Sequence, residues 1–278
     1  MDMIVAPYDA ELIAVTNAGK VFKMSTRELI ISPGSELLSV QNLKELLSYK
    51  GYLLDNDEHL VKFIYMDEGE YHKDICLLFC TKYGIVKKVP IAEFKHVRAI
   101  GKIAILLKGN DSVRFVNKVS ESDEILLASE EGLAVRFQSN ELRKTGRLSS
   151  GVKGIKLTPD TGEVISSSTT YEGLKVFVVD EQGTGKLTDI DKFKLTVKAV
   201  RGVIAYKLND SDKLIACTLI KGDEEIVFLT NKHNVLRLPV SEIAERSSRI
   251  CGGVRLIKLD EGEKVMLCAK SAAEKTFE

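Results

Sequence analysis

Four short stretches of this chain place an arginine one to four residues ahead of a glycine. They are Arg98 before Gly101, Arg147 before Gly151, Arg201 before Gly202 and Arg249 before Gly253. Guanidinium and ammonium groups hold phosphate oxygens, and glycine lets backbone approach such a ligand closely or take positive φ. Around the four arginines stand Lys95, Lys102, Arg143, Lys144, Lys153, Lys156, Lys194, Lys198, Arg246 and Arg255. One copy, RLSSGVKGIKL (147–157), adds Ser149 and Ser150 as hydroxyl donors. No constellation that would read base edges accompanies them. The chemistry expected is contact with a phosphate backbone, with little sequence preference.

Other chemistries have less to stand on. QGTGKL (182–187) suggests a phosphate loop, but Leu187 follows Lys186 where a Walker motif needs Ser or Thr, so it reads as a β turn. Cys76 and Cys80 fall on one face of a strand inside the apolar run ICLLFC; no second Cys or His pair follows, and they read as buried thiols without a metal. His59, His72, His96 and His233 are scattered, with no nucleophile–base arrangement, so no enzyme activity and no cofactor are expected.

The 278 residues carry 40 basic and 40 acidic side chains, a formal net charge of zero. That balance speaks against a generic polyanion binder. The distribution does not. Residues 93–102, 141–156, 189–207 and 242–258 together hold seventeen basic against six acidic side chains. The acids gather elsewhere, at 55–58, 66–70, 120–124, 180–182, 209–212, 222–225 and 260–263. If the four basic windows occupy equivalent places in a repeat, they share one rim and the acidic turns another. A protein neutral overall then carries a positive stripe, the footprint of a nucleic-acid binder that tracks the backbone. The alternative is a protein–protein interaction disc; aromatic residues at 6% and the absence of tryptophan offer it few anchors. No apolar run is long enough to cross a membrane, the N-terminus has no basic region of a signal peptide, and five irregularly spaced cysteines suit a reducing compartment. A cytoplasmic, nucleoid-associated protein is expected.

The elements that must position these residues repeat. Gly51, Gly101, Gly151, Gly202 and Gly253 lie 50, 50, 51 and 51 apart, and the last four open GKIAILL, GVKGIKL, GVIAYKL and GVRLIKL. A second series, Gly19, Gly84, Gly132 and Gly183 with His233 in the fifth place, marks turns that follow acidic-then-apolar runs such as DEILLAS. A third set of strands follows each anchor: 112–119, 163–170, 213–220 and 264–270. Each unit therefore reads as three or four short strands. One such unit cannot bury its own apolar face. The fold expected is all-β, a single domain over 1–278. It is a propeller-like disc of about five blades, six being the alternative. The repeats run approximately 8–66, 72–119, 121–171, 172–221 and 222–270, with a tail at 271–278. In the first repeat the anchors are farther apart; the surplus at 28–51 includes SVQNLKELLSY, whose apolar spacing predicts a short helix or a long loop.

The pattern of apolar strand, turn glycine, basic strand and then R-x-x-x-G-V-K-G-I-K-L resembles the C-terminal β-pinwheel domain of bacterial type IIA topoisomerases, the A subunits of DNA gyrase and topoisomerase IV. The resemblance covers roughly 8–270 and is strongest in ILLASEEGLAVRF and GRLSSGVKGIKL. It implies a disc whose basic outer rim binds and bends or wraps double-stranded DNA for a catalytic core. The implied partners are the A-subunit cleavage domain and the ATPase subunit, neither of which has a counterpart here. The box QRRGGKG, on which wrapping depends in gyrase, is absent, and 147–154 is the nearest match. That departure tilts the resemblance toward a topoisomerase IV-like or divergent gyrase-like role.

Overall fold

The computed structural model describes residues 7, 9–29, 47, 48, 51, 52, 54–97, 100–158, 162–209 and 212–272. Most of the surplus in the first repeat, including most of SVQNLKELLSY, lies outside them; Leu47 and Ser48 are helical.

Five hairpins underlie five sheets: β1 (Glu11–Thr16) with β2 (Lys20–Ser25), β4 (Cys76–Thr81) with β5 (Ile85–Pro90), β8 (Glu124–Ser129) with β9 (Leu133–Gln138), β12 (Lys175–Asp180) with β13 (Thr184–Asp189), and β16 (Glu224–Thr230) with β17 (Val235–Pro239). Their turns need one residue in the left-handed region. Gly19, Gly84, Gly132 and Gly183 take φ of 75°, 78°, 76° and 71°, and His233 takes the same conformation at 64° without being glycine. On the other edge of each first strand lies a third: β3 (Leu60–Met66), β7 (Val113–Val119), β11 (Val164–Thr169), β15 (Leu214–Ile220) and β19 (Val265–Ala272). These five inner strands surround one central cavity of about 190 Å³, lined by Lys62, Asn117, Ser167, Thr218 and Cys268 among others.

The fourth strands are exchanged. β6 (Lys102–Ile103) pairs with β2, β10 (Val152–Lys153) with β5, β14 (Val203–Ile204) with β9, and β18 (Val254–Arg255) with β13. Each therefore completes the blade before its own. Sequence repeat and sheet are out of phase by one strand, which periodicity alone does not reveal. The exchange also accounts for three of the spaced glycines. At the last three crossings the backbone passes directly over that of the outer strand of the preceding blade; at the first, Gly101 lies against the side chains of Phe22 and Lys20. A Cβ at Gly151 would lie 2.4 Å from the Val86 carbonyl oxygen, at Gly202 2.5 Å from that of Ala134, and at Gly253 2.5 Å from that of Gly185. These glycines approach protein backbone, where the sequence suggested a phosphate.

The core lies between blades. Ile13 and Val15 of the first pack with Leu77, Phe79 and Ile105. Equivalent buried clusters join blades two and three, three and four, and four and five. Among the described residues, no such cluster joins blade five to blade one. The free face of blade one (Leu12, Ala14, Phe22, Met24) is instead covered by Leu47 from the first repeat's surplus and by Tyr52 just after it. Tyr52 meets Phe22 edge-on at 5.8 Å and donates its hydroxyl to the Lys23 carbonyl at 3.1 Å.

Candidate nucleic-acid interface

The exchanged strands are the outermost of their sheets, so they and the loops leading into them form the perimeter of the disc. These loops are the basic windows. The loop of blade three first runs parallel to β5, where Thr145 donates its amide to the Lys88 carbonyl at 3.0 Å. It then turns at Gly151 and runs antiparallel as β10.

Neighbouring loops are tied to one another. The Leu106 amide donates to the Ser149 carbonyl at 3.0 Å, that of Ala199 to Gly154 at 2.7 Å and that of Lys156 to Val200 at 2.8 Å. The Arg249 guanidinium donates to the Ile204 carbonyl. Segments near 103–106, 147–156, 199–204 and 249–255 therefore make one hydrogen-bonded belt. This brings Lys153 and Lys156 alongside the loop that carries Lys198 and Arg201, and Arg249 beside the strand that follows Arg201.

Of the cations expected from sequence, Arg249 is half-buried with its guanidinium on the Ile204 carbonyl, and the others divide into three groups. Arg143, Lys153, Lys156, Lys194, Arg201, Arg246 and Arg255 are exposed, and Lys102 is half-buried on β6; among the described residues none of these forms an ion pair. Lys144, Arg147 and Lys198 are half-buried and engaged: Lys144 with Asp74 at 2.5 Å and Glu121 at 3.2 Å, Arg147 with Glu93 at 3.1 Å, Lys198 with Glu141 at 3.9 Å. Lys95 is half-buried with Nζ 3.5 Å from His72 Nε2, and its carbonyl accepts Lys23 Nζ at 3.1 Å. Arg98 lies outside the described residues.

Two buried lysines that hold these loops from within escaped the sequence reading. Lys87 on β5 is 2% exposed and donates to the carbonyls of Ala104, Arg147 and Ser149 at 2.7, 2.6 and 2.9 Å. Lys186 on β13, fully buried, donates to those of Ser248, Arg249 and Cys251 at 3.0, 2.8 and 2.5 Å. Burial, and then the neighbouring Arg147 charge, push the Lys87 ammonium down to about 8; burial lowers Lys186 as well. The signal was the lysine in third place after the turn glycine, in G-I-V-K and G-T-G-K, which reads as an ordinary solvated position.

The acidic turns sit at strand ends, and several are structural. Glu58 accepts the Thr16 hydroxyl at 2.5 Å and Lys20 Nζ at 2.7 Å. Glu263 accepts the Thr230 hydroxyl and the Asn234 side-chain amide at 2.6 and 2.7 Å. Asp180 accepts the Tyr206 hydroxyl and the backbone amides of Gln182 and Thr184. Burial pushes the thiols of Cys80 and Cys217 up to about 12, which suits inert core residues. Among the described residues no group of His, Cys, Asp and Glu could hold a metal, and no helix is long and apolar enough to cross a membrane.

Comparison with known proteins agrees with this geometry. A family model described as DNA gyrase C-terminal domain, beta-propeller, matches residues 10–34, 77–120, 123–170, 176–221 and 224–270. The DNA gyrase A subunit of Ureaplasma parvum is 30% identical over 271 residues, and that of Staphylococcus epidermidis 32% over 258. These alignments cover 95% and 92% of this chain but only 30% and 28% of the relatives, so the chain spans under a third of their length. The crystal structure of the C-terminal domain of DNA topoisomerase IV superposes with a TM-score of 0.80 at 23% identity, covering 96% of this chain and 80% of that one. The DNA gyrase A C-terminal domain gives 0.75 at 22%, covering 95% and 83%.

Proposed function

Because the chain belongs to the DNA gyrase C-terminal domain family, we propose that it binds double-stranded DNA along its perimeter and bends or wraps it for a type IIA topoisomerase. In this reading it contributes no cleavage chemistry of its own, works beside the A-subunit cleavage domain and the ATPase subunit, and is associated with the bacterial nucleoid. The observation that carries the reading is the belt. The basic loops are joined edge to edge by hydrogen bonds, and cations without ion-pair partners recur along it. Arg147, Lys153, Lys156, Arg201, Arg249 and Arg255 lie in its segments, Lys102 beside its first, and Arg143, Lys194 and Arg246 in the loops leading into it; Lys95, Arg98, Lys144 and Lys198 complete the proposed contacts. Fixed cations on a curved perimeter hold phosphates without reading bases, so curvature and charge set the preference. The Ureaplasma and Staphylococcus relatives, both named as gyrase, support a gyrase-like role despite the missing box.

The test is a salt-dependent gel shift with a linear duplex, beside ligation of a nicked circle. Tight binding with a steep salt slope is expected. A change in linking number marks wrapping; binding without one marks a bending or tethering module. The double substitution Arg147→Glu, Lys153→Glu should weaken binding and lower the salt slope by about 2. Failure of the unaltered protein to bind duplex overturns the reading in favour of a protein-interaction disc.

A further inference from the structure

Exposed aliphatic side chains collect on the same belt as the cations. Leu148 is 72% exposed and Ile250 48%. Each directly follows an arginine, Arg147 or Arg249, and each stands three residues before the crossing glycine. Their loops are also the two gripped by a buried ammonium: Lys87 holds the carbonyls of residues 147 and 149, and Lys186 those of 248, 249 and 251. Single exposed aliphatics are ordinary on a protein surface. Here the same position repeats in two loops 102 residues apart, each carrying its own internal clamp.

Burying a lysine without a carboxylate partner costs desolvation. Among the described residues neither Lys87 nor Lys186 has such a partner. What the arrangement provides is a loop with its carbonyl oxygens drawn inward and its tip fixed, so that Leu148 and Ile250 face out while Arg147, paired with Glu93, and Arg249, on the Ile204 carbonyl, lie half-buried beside them. Outer-strand residues beside the tips, Ile103, Val152 and Ile204, are exposed as well. A surface that alternates fixed cations with aliphatic carbon is complementary to a duplex groove. Cations suit the phosphates that border it, and aliphatic wedges unstack a base step and kink the helix.

We propose that Leu148 and Ile250 are apolar wedges that press into the minor groove of bound duplex and bend it at two points, with Lys87 and Lys186 as the positioning residues that hold the two tips. The proposal rests on the reading of the chain as a duplex binder. Both wedges are exposed, so serine substitutions leave the core intact.

The experiment uses the double variant Leu148→Ser, Ile250→Ser beside the unaltered protein. The probes are an end-labelled duplex for energy transfer and duplexes carrying 2-aminopurine for unstacking. Salt slope and sedimentation are measured in parallel. The expected result is shortening of the end-to-end distance and a 2-aminopurine signal with the unaltered protein. Both should be largely lost in the variant, with the salt slope unchanged. Equal bending and unstacking by the two proteins overturns the wedges, as does binding by the unaltered protein without bending; in either case duplex binding stands. A self-association of the unaltered protein that the variant abolishes, with bending unchanged, assigns the tips to contact between copies and also overturns the proposal. No binding by the unaltered protein overturns the duplex reading, and the wedges fall with it.

Discussion

At the scale of the residue, charge in this protein does two opposite jobs. Exposed cations such as Lys153 and Arg201 face solvent on the perimeter, while Lys87 and Lys186 are consumed as internal donors. Sequence separates the two kinds poorly, because a lysine after a turn glycine carries no mark of its burial. The acids divide in the same way. Glu263 is held down to about 2, first by the Asp260 amide and then by Thr230 and Asn234, all of which donate to the charged carboxylate. A carboxylate lowered in the folded state contributes stability that is whole above its ordinary value of 4.5 and is lost as pH falls toward 2. Urea titrations between about pH 6 and 2.5 should therefore show an acid loss of stability that Glu263→Gln flattens, the variant already being weaker at neutral pH. An unchanged acid slope in the variant would remove Glu263 from that role.

At the scale of the element, the strand period, the turn glycines and the fifty-residue recurrence were all legible, because apolar alternation and αL turns are local properties. The inner strands fall where 112–119, 163–170, 213–220 and 264–270 place them. The destination of GVKGIKL was not legible, since a two-residue strand does not encode which edge it meets. The crowding of cations into the loops before the exchanged strands was legible from charge counting, whereas the joining of those loops depends on contacts such as Lys156 to Val200 between repeats. Adjacent glycines isolate the effect of the crossing. An added Cβ at Gly253 meets the Gly185 backbone at 2.5 Å, while at Gly252 nothing lies within 4 Å. Gly253→Ala should cost about 1–3 kcal/mol in chemical denaturation, and Gly252→Ala should leave the midpoint nearly unchanged. Equal effects would mean that the crossing is not the reason for the spacing.

At the scale of the whole molecule, the ring is uneven. Blades one to four each end in a borrowed strand, whereas the fifth sheet has the order β17–β16–β19 with β17 at its edge. Blade one turns its remaining face to Leu47 and Tyr52 in place of a neighbouring blade. Local opening follows uncovered backbone. In native-state hydrogen exchange, the outward amides of β17 should lose protection before those of β5, β9 and β13, whose edges are covered. Equal protection would mean that another segment pairs with β17. Neutral overall charge fits the same unevenness, with surplus cations on the belt and acids at the strand ends.

The forward direction of the strand exchange also sets an order of events as the chain is made. β2 waits for β6, β5 for β10, β9 for β14 and β13 for β18, and in every case the covering strand is at least 62 residues downstream of the edge it closes. By the time one edge is capped, the hairpin of the next blade has already emerged. A nascent chain therefore shows the cell one open outer edge, and briefly two as each new hairpin emerges before the older edge is capped; this exposure to mispairing does not grow with chain length.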